Sequence, residues 1–365
     1  MEAWPLERQS KGAIQGAMAT KAFPVLFVAP ESVSEAVLAS GLLRKLHDEA
    51  PNPRFTIVAT RQVAPLYADM PKVESIIVTE RKASGRRWFG LMGPLRARRW
   101  ALVVDMPSGV ITGRLRPKGR ALRRRDDEPA HKLIEAARLM RLEDDPPAPY
   151  LFVSEETEAK AAKLTAGDAP ILAIAPTAEW VGKAWPMERF AEVTRRLLSP
   201  GGPFAGGRLM ILGDKADTHE VEPVRSIAPR DLVIDCVGKG DLLTAFAALK
   251  HVRLFIGYDT GFTQLAAAAG APTLALFGPS DDRIWRPWGE KVRVVRGART
   301  LDELRRVDST LSAQVRHMVD LSADSVLSAA EALMYDTTPS LAGPAETPAA
   351  EASPAETPAS ETPLV

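Results

Sequence analysis

Two successive series of short, unbroken apolar runs constrain this chain more than any other feature. VLFVA, FTIVA, SIIV and ALVVD lie in the first half, and ILAIA, RLMIL, LVIDC, LFIG and TLALF in the second. A strand with one wet face alternates apolar and polar residues. A run that is apolar throughout suits a parallel strand covered by helices on both faces. Amphipathic stretches separate the runs, at Ser34–Ala50, His131–Leu142, Glu155–Leu164, Met187–Leu198, near His219 and at Leu242–Lys250. The expected fold is therefore α/β, with two Rossmann-like, doubly wound parallel-sheet domains facing a cleft. The series stops near Asp144–Pro149 and restarts after the charged stretch ending at Leu164, which sets domains at 22–166 and 167–321 and a last helix at 322–336. Residues 337–365 repeat GPAETP, SPAETP and ASETP, a composition too poor in apolar surface to order itself. They read as a disordered tail, as do residues 1–21.

The segment Leu254–Gly278 carries the clearest functional signal. Leu254–Ile256 has strand character and Gly257 is expected to end it; Asp259, Thr260 and Gly261 form a polar turn; Phe262–Ala269 is an alanine-rich helix; and Thr273–Phe277 is a second buried strand. The helix starts just beyond the carboxyl end of a strand, so its unpaired N–H groups and positive dipole end point to where open α/β sheets bind ligands. Thr260 adds a hydroxyl, and Gly261 allows a phosphate close to the backbone. The alternative is that Asp259 or Thr260 simply caps the helix.

A second cluster, Ala175-Pro176-Thr177 through Lys183-Ala184-Trp185-Pro186, follows the strand ILAIA on the same sheet edge. There Lys183 supplies an ammonium, and Thr177 a hydroxyl, to an anion held by Thr260 and Gly261. Equally, Lys183 is an ordinary loop lysine and Trp185-Pro186 opens the next helix. Neither G-x-G-x-x-G nor G-x-x-x-x-G-K-[ST] stands where it is needed, which disfavours nicotinamide dehydrogenases and P-loop phosphohydrolases.

Composition bounds the rest. The 365 residues are 45% hydrophobic with mean hydropathy −0.09, and the single cysteine, Cys236, excludes an internal disulfide and reads as a buried structural thiol. The amino terminus lacks the apolar stretch of a signal peptide and no run is long enough to span a bilayer, so a cytoplasmic protein is expected. A net charge of +1 conceals 14 Lys or Arg against one acid within residues 81–125. Arg86, Arg87, Arg96, Arg98 and Arg99 are interleaved there with Trp88, Phe89, Leu91, Met92 and Trp100. This pattern suits an interfacial helix at an anionic membrane or acceptor, or else a solvated helix face over core aromatics. No recognition motif for nucleic acid accompanies the charge.

The D-T-G turn followed by Gln-Leu-Ala-Ala, then LFGPSDDRIWRPWG, preceded by P-T…K-x-W-P, resembles the nucleotide-sugar half of family-nine glycosyltransferases, whose best-known members are ADP-heptose:lipopolysaccharide heptosyltransferases. The resemblance covers about Val25–Met334, more loosely in the first half through VLFVAPESVSEAVLASGLLRKL, ALVVDMPSG and His131. It implies a metal-independent GT-B enzyme needing no cofactor. The donor would sit in the second domain and the acceptor would be reached from the first. Carried over by residue, Lys183, Thr260 and Gly261 hold the donor diphosphate with Thr177 beside it. Asp259 touches sugar hydroxyls or fixes the turn, and Val237–Gly240, chiefly Val237 and Gly238, border the nucleoside.

The family base is an aspartate in a G-D step at the start of the first helix; here the aligned pair is Ser34-Glu35. Glu35 has the basicity for the role, although its extra methylene moves the carboxylate by about 1 Å. Ser32-Val33-Ser34-Glu35 also fits an S-x-x-E capping box. Two further departures are Ala29, where a basic residue is usual, and Gln264, where the helix usually carries His. His131 matches a family histidine without an assigned role.

The resulting expectation is an inverting glycosyltransferase that moves a sugar, heptose from ADP-heptose by resemblance, onto a lipopolysaccharide-core or other lipid-linked glycan acceptor. It would work in the cytoplasm, with peripheral contact to the inner face of the plasma membrane. The alternatives are another nucleotide sugar on the same fold, a degenerate sugar-nucleotide-binding protein, or a peripheral membrane module.

Overall fold

The computed structural model describes residues 21–79, 92–107, 112–122, 129–312 and 314–337. Its first lobe runs β1 Phe23–Val28, α1 Val33–Glu49, β2 Pro53–Thr60, β3 Val73–Thr79, β4 Leu102–Asp105, β5 Gly119–Leu122 and α2 Lys132–Arg138. α3, Glu155–Leu164, leads to the second lobe. That lobe runs β6 Ile171–Ala175, α4 Met187–Leu198, β7 Arg208–Ile211, α5 Glu222–Arg225, β8 Val233–Asp235, α6 Leu242–Leu249, β9 Leu254–Tyr258, α7 Gly261–Ala268, β10 Thr273–Phe277, α8 Asp282–Trp285, β11 Val292–Arg296, α9 Leu301–Val307 and α10 Ala323–Thr337.

All strand pairs are parallel, in the orders β3-β2-β1-β4-β5 and β11-β10-β9-β6-β7-β8. The order in which strands are added reverses once in each sheet, between β1 and β4 in the first lobe and between β6 and β9 in the second. Loops on either side of such a reversal diverge and leave a crevice at the carboxyl ends of the strands. The two edge strands that the apolar runs did not reveal are β5 (GRAL) and β11 (VRVVR). Both carry arginines, because an edge strand has a wet side and need not be apolar throughout.

The strand expected to end at Gly257 continues through it to Tyr258, whose buried hydroxyl donates to Trp185 O and accepts from Trp185 N–H. No side chain fits at Gly257, since a Cβ there would meet the Phe255 ring at 2.8 Å. The helix expected near His219 is instead a short 3-10 turn, Lys215–Thr218, followed by α5.

One apolar core is continuous from the inner face of the first sheet, through α1, to α6, α7 and the inner face of the second. α3, placed with the first half from sequence, packs on α6, and its Glu158 pairs with Lys250 at 2.5 Å. A separate core behind the second sheet is closed by α4 and α10.

The interfacial reading of the basic segment changes where it is described. Met92, Leu95 and Trp100 are buried against Val103 and Leu115, and the Trp100 indole donates to Leu95 O at 2.8 Å. They are core residues, because the outer face of the first sheet needs a cover. Arg98 lies over the Trp100 ring and pairs with Glu74 at 2.5 Å, whereas Arg96 and Arg99 face solvent. Arg86, Arg87, Trp88, Phe89 and Leu91 lie outside the described residues, as do the tails 1–20 and 338–365.

Candidate active site

Both crevices at the sheet reversals hold the residues singled out from sequence, and they face each other. In the second lobe, Thr177 and Lys183 follow β6, and Asp259–Gly261 follow β9. The Lys183 ammonium donates to the Asp259 carboxylate at 3.0 Å and to the Asp259 carbonyl at 3.2 Å. The pair is well covered, at 18% exposure for the lysine side chain and 6% for the aspartate. Lys183 is thus held beside Asp259 at the start of α7, the place where one of the two sequence readings put it, rather than loose in its loop.

Thr260 occupies the N-cap of α7 but makes no side-chain cap bond. Its hydroxyl is buried without a hydrogen-bond partner, and so is the Oε1 of Gln264 one turn along; the residues are only 7% and 1% exposed. The Gln264 amide donates to Trp285 O at 2.8 Å, which leaves its carbonyl oxygen over. Two orphaned buried polar atoms on the first turn of one helix are uncommon in a folded protein, and each calls for a ligand or solvent partner.

Gly261 meets a packing constraint besides the phosphate approach expected from sequence. A Cβ at that position would lie 2.6 Å from Val33 Cγ1 and 2.8 Å from Val33 Cβ, so the glycine lets the first turns of α7 and α1 meet across the two lobes. The neighbour that fixes glycine here is a side chain of the other lobe.

The Thr177 hydroxyl donates to Asp217 Oδ2 at 2.8 Å. The same carboxylate accepts from Asp214 N–H at 2.7 Å, so Thr177 fixes the loop after β7. Asp214 and Glu220 stand nearby with carboxyls held above the usual range, by burial first and then by Asp217. Val237 and Gly238 border this loop. Gly238 takes φ +70° and donates its N–H to Gly213 O at 2.9 Å, and Val237 N–H donates to Asp235 at 3.0 Å. Cys236, beside them, is half-buried, and burial pushes its thiol up to about 11, which keeps it protonated and unreactive.

In the first lobe, Glu35 lines a cavity of about 240 Å³ with Pro30, Glu31, Met106, Pro107, Lys132 and Glu135. Ser32 caps α1 by accepting from Glu35 N–H at 3.2 Å, and its hydroxyl donates to Glu35 Oε2 at 3.3 Å. Ser32 is thus the cap, but the Glu35 carboxylate meets the Ser32 hydroxyl and not its backbone N–H; it remains in the cavity and keeps Oε1 toward Lys132, 3.6 Å away. Lys132 is a residue that sequence reasoning missed. It bonds Glu135 at 2.9 Å and lies 5.1 Å from the Trp285 ring centroid of the second lobe. Its only sequence signal is the i, i+3 spacing to Glu135; its nearness to Glu35 and Trp285 exists only in the folded chain.

His131 caps α2. Its Nδ1 accepts from Leu133 N–H at 3.2 Å, so Nε2–H donates to Arg286 O at 2.8 Å, across the lobes. The ring also meets Trp288, with centroids 5.3 Å apart. Burial holds its pKa below the ordinary histidine value.

Two Rossmann-like lobes that oppose their crevices across one cleft form the GT-B architecture of a glycosyltransferase. Comparison with known proteins agrees. The family model described as glycosyltransferase family 9 (heptosyltransferase) matches residues 128–313, just over half of the chain. Lipooligosaccharide heptosyltransferase 2 of Haemophilus influenzae is 25% identical over 312 residues, covering 74% of this chain and 88% of that protein. Among solved structures, a family 9 glycosyltransferase of Veillonella parvula aligns with TM-score 0.69 at 18% identity, covering 88% of this chain and all of that one. The ADP-heptose lipopolysaccharide heptosyltransferase II of Escherichia coli aligns with TM-score 0.67 at 21% identity, covering 86% and 99%. The chain belongs to glycosyltransferase family 9, the heptosyltransferase family.

Proposed function

We propose that this glycosyltransferase inverts configuration at the anomeric carbon as it transfers heptose from ADP-heptose to a lipopolysaccharide-core or related lipid-linked glycan. The single observation that supports the donor site best is the pair of unpartnered buried oxygens, Thr260 Oγ1 and Gln264 Oε1, at the start of α7 beside Lys183. The names of the relatives supply the choice of heptose, ADP and lipopolysaccharide.

In this reading the donor diphosphate lies at the amino end of α7. Backbone N–H groups, the Thr260 hydroxyl and the Lys183 ammonium take up the charge that grows as the anomeric C–O bond breaks. Charge carried by these groups is the reason for proposing metal independence. Asp259 holds Lys183 in place, Gln264 offers Oε1 to a donor hydroxyl, and Val237 and Gly238 border the nucleoside. From the opposite lobe, Glu35 accepts the proton of the acceptor hydroxyl as its oxygen attacks the anomeric carbon from the face away from the leaving diphosphate. A new glycosidic bond forms, nucleoside diphosphate leaves, and the proton ends on Glu35. With Trp100, Leu95 and Met92 in the core, the part of the basic segment that is described, with Arg96 and Arg99 exposed, would attract a membrane or acceptor phosphates by charge.

The test is a thermal-shift screen of ADP, UDP and GDP followed by transfer from ADP-heptose to deacylated core oligosaccharide. Selective stabilisation by ADP and inversion at the new linkage support the reading. Stabilisation by UDP or GDP alone would replace the donor.

A further inference from the structure

What holds the Glu35 carboxylate is legible in the geometry, and the inference below rests on reading Glu35 as the base. The charged groups around it are Glu31, from the loop that precedes α1, and Lys132 and Glu135 of α2; His131, bonded to Arg286 O of the second lobe, stands next in line. Lys132 divides its ammonium unequally. At 2.9 Å Glu135 receives a hydrogen bond, whereas at 3.6 Å Glu35 receives attraction without a formed bond. A fully ion-paired base loses strength and has a lone pair committed; a base with no cation beside it is free to turn out of the cavity.

The third neighbour of Lys132 belongs to the other lobe. Trp285 lies under the ammonium at 5.1 Å, and its backbone carbonyl accepts from Gln264 of the proposed donor helix at 2.8 Å. A physical path therefore runs from α7 through Trp285 and Lys132 to Glu35.

We propose that Lys132 is a positioning residue that aims the Glu35 carboxylate into the acceptor cavity when the second lobe is packed on the first, while Glu135 keeps Lys132 from neutralising it.

The test uses the full chain and four variants: Lys132→Met, Lys132→Arg, Glu135→Gln and, as reference, Glu35→Gln. Transfer from ADP-heptose to deacylated core oligosaccharide gives kcat and donor KM. Lys132→Met is expected to lower kcat about tenfold with donor KM within twofold. Lys132→Arg should recover kcat to within threefold. Glu135→Gln should also slow transfer, because the ammonium then passes to Glu35. An unchanged kcat in Lys132→Met, a donor KM that rises in step with the loss of kcat, or an arginine variant as slow as the methionine variant would overturn the inference. If Glu35→Gln is inactive while Lys132→Met is normal, this inference alone fails; wild-type turnover by Glu35→Gln removes the base assignment itself.

Discussion

Gly261 and Val33 touch across the two lobes: the Cβ position of the glycine lies 2.6 Å from Val33 Cγ1, so α7, the helix of the proposed donor site, rests on α1, the helix that carries Glu35. Gly261→Ala should force these helix starts apart. Overpacking of this kind costs about 1–3 kcal/mol. Transfer should fall more than ADP affinity, because the two reacting groups sit on opposite lobes. Val33→Gly in the same chain, which removes both the Cγ1 and the Cβ that the new methyl meets, should restore turnover, measured by initial rates beside thermal denaturation. Failure of that rescue would show that the contact does not set the lobe spacing.

Lys183→Ala should weaken ADP binding by about 1.5–3 kcal/mol, the range for hydrogen bonds to charged groups. It should also destabilise the fold, because Asp259 would remain covered without its cation. Adding Asp259→Ala should recover much of the stability and none of the ADP affinity. Calorimetric titration beside denaturant melts separates the two effects, and full ADP affinity in the single variant would remove Lys183 from the donor site.

Glu35→Gln keeps the backbone N–H that Ser32 accepts from, so stability should stay within about 1 kcal/mol and ADP affinity should be unchanged. Transfer should drop at least about 10²-fold through loss of the proton acceptor. A merely structural Glu35 would leave turnover intact.

His131 predicts a pH dependence with a definite sign. Its folded pKa lies below the ordinary value, by burial first, so the folded state favours the neutral ring. The unfolded chain then binds the proton more readily, and stability present above the unfolded value is lost as pH falls through it toward the lower folded value. Protonation also removes the Nδ1 lone pair that accepts from Leu133 N–H. Melts from pH 8 to pH 5 should show a decline that is shallower in His131→Gln; identical slopes would exclude His131 as its source.

Binding to anionic lipid vesicles, if carried by the exposed Arg96 and Arg99 and their neighbours, should fall steeply between low and physiological salt. Salt-insensitive binding would indicate apolar insertion, which the buried Trp100 and Leu95 do not support.

Fully apolar strand runs made both parallel sheets readable from residues alone, because burial on two faces leaves an unambiguous mark on sequence. The turn Asp259–Gly261 and the helix after it were readable for the same reason: strand, glycine and helix signals succeed one another within a short stretch. Edge strands β5 and β11 escaped because their wet sides admit arginine, and Met92 and Trp100 of the basic segment looked interfacial until the first sheet claimed them as its cover.

Sequence by itself determined local matters: where the fully buried strands lie, that the helix of the D-T-G turn starts at a strand's carboxyl end, and that Ser32 caps the helix bearing Glu35. Only the tertiary structure decided which distant groups meet. It brought Lys183 to Asp259 and Lys132 to Glu35, set Trp285 against that lysine, and placed Gly261 on Val33. The division follows from range. Strand patterning and caps depend on residues a few positions apart, whereas ion pairs and lobe contacts depend on packing that joins segments many tens of residues distant, which no local pattern encodes.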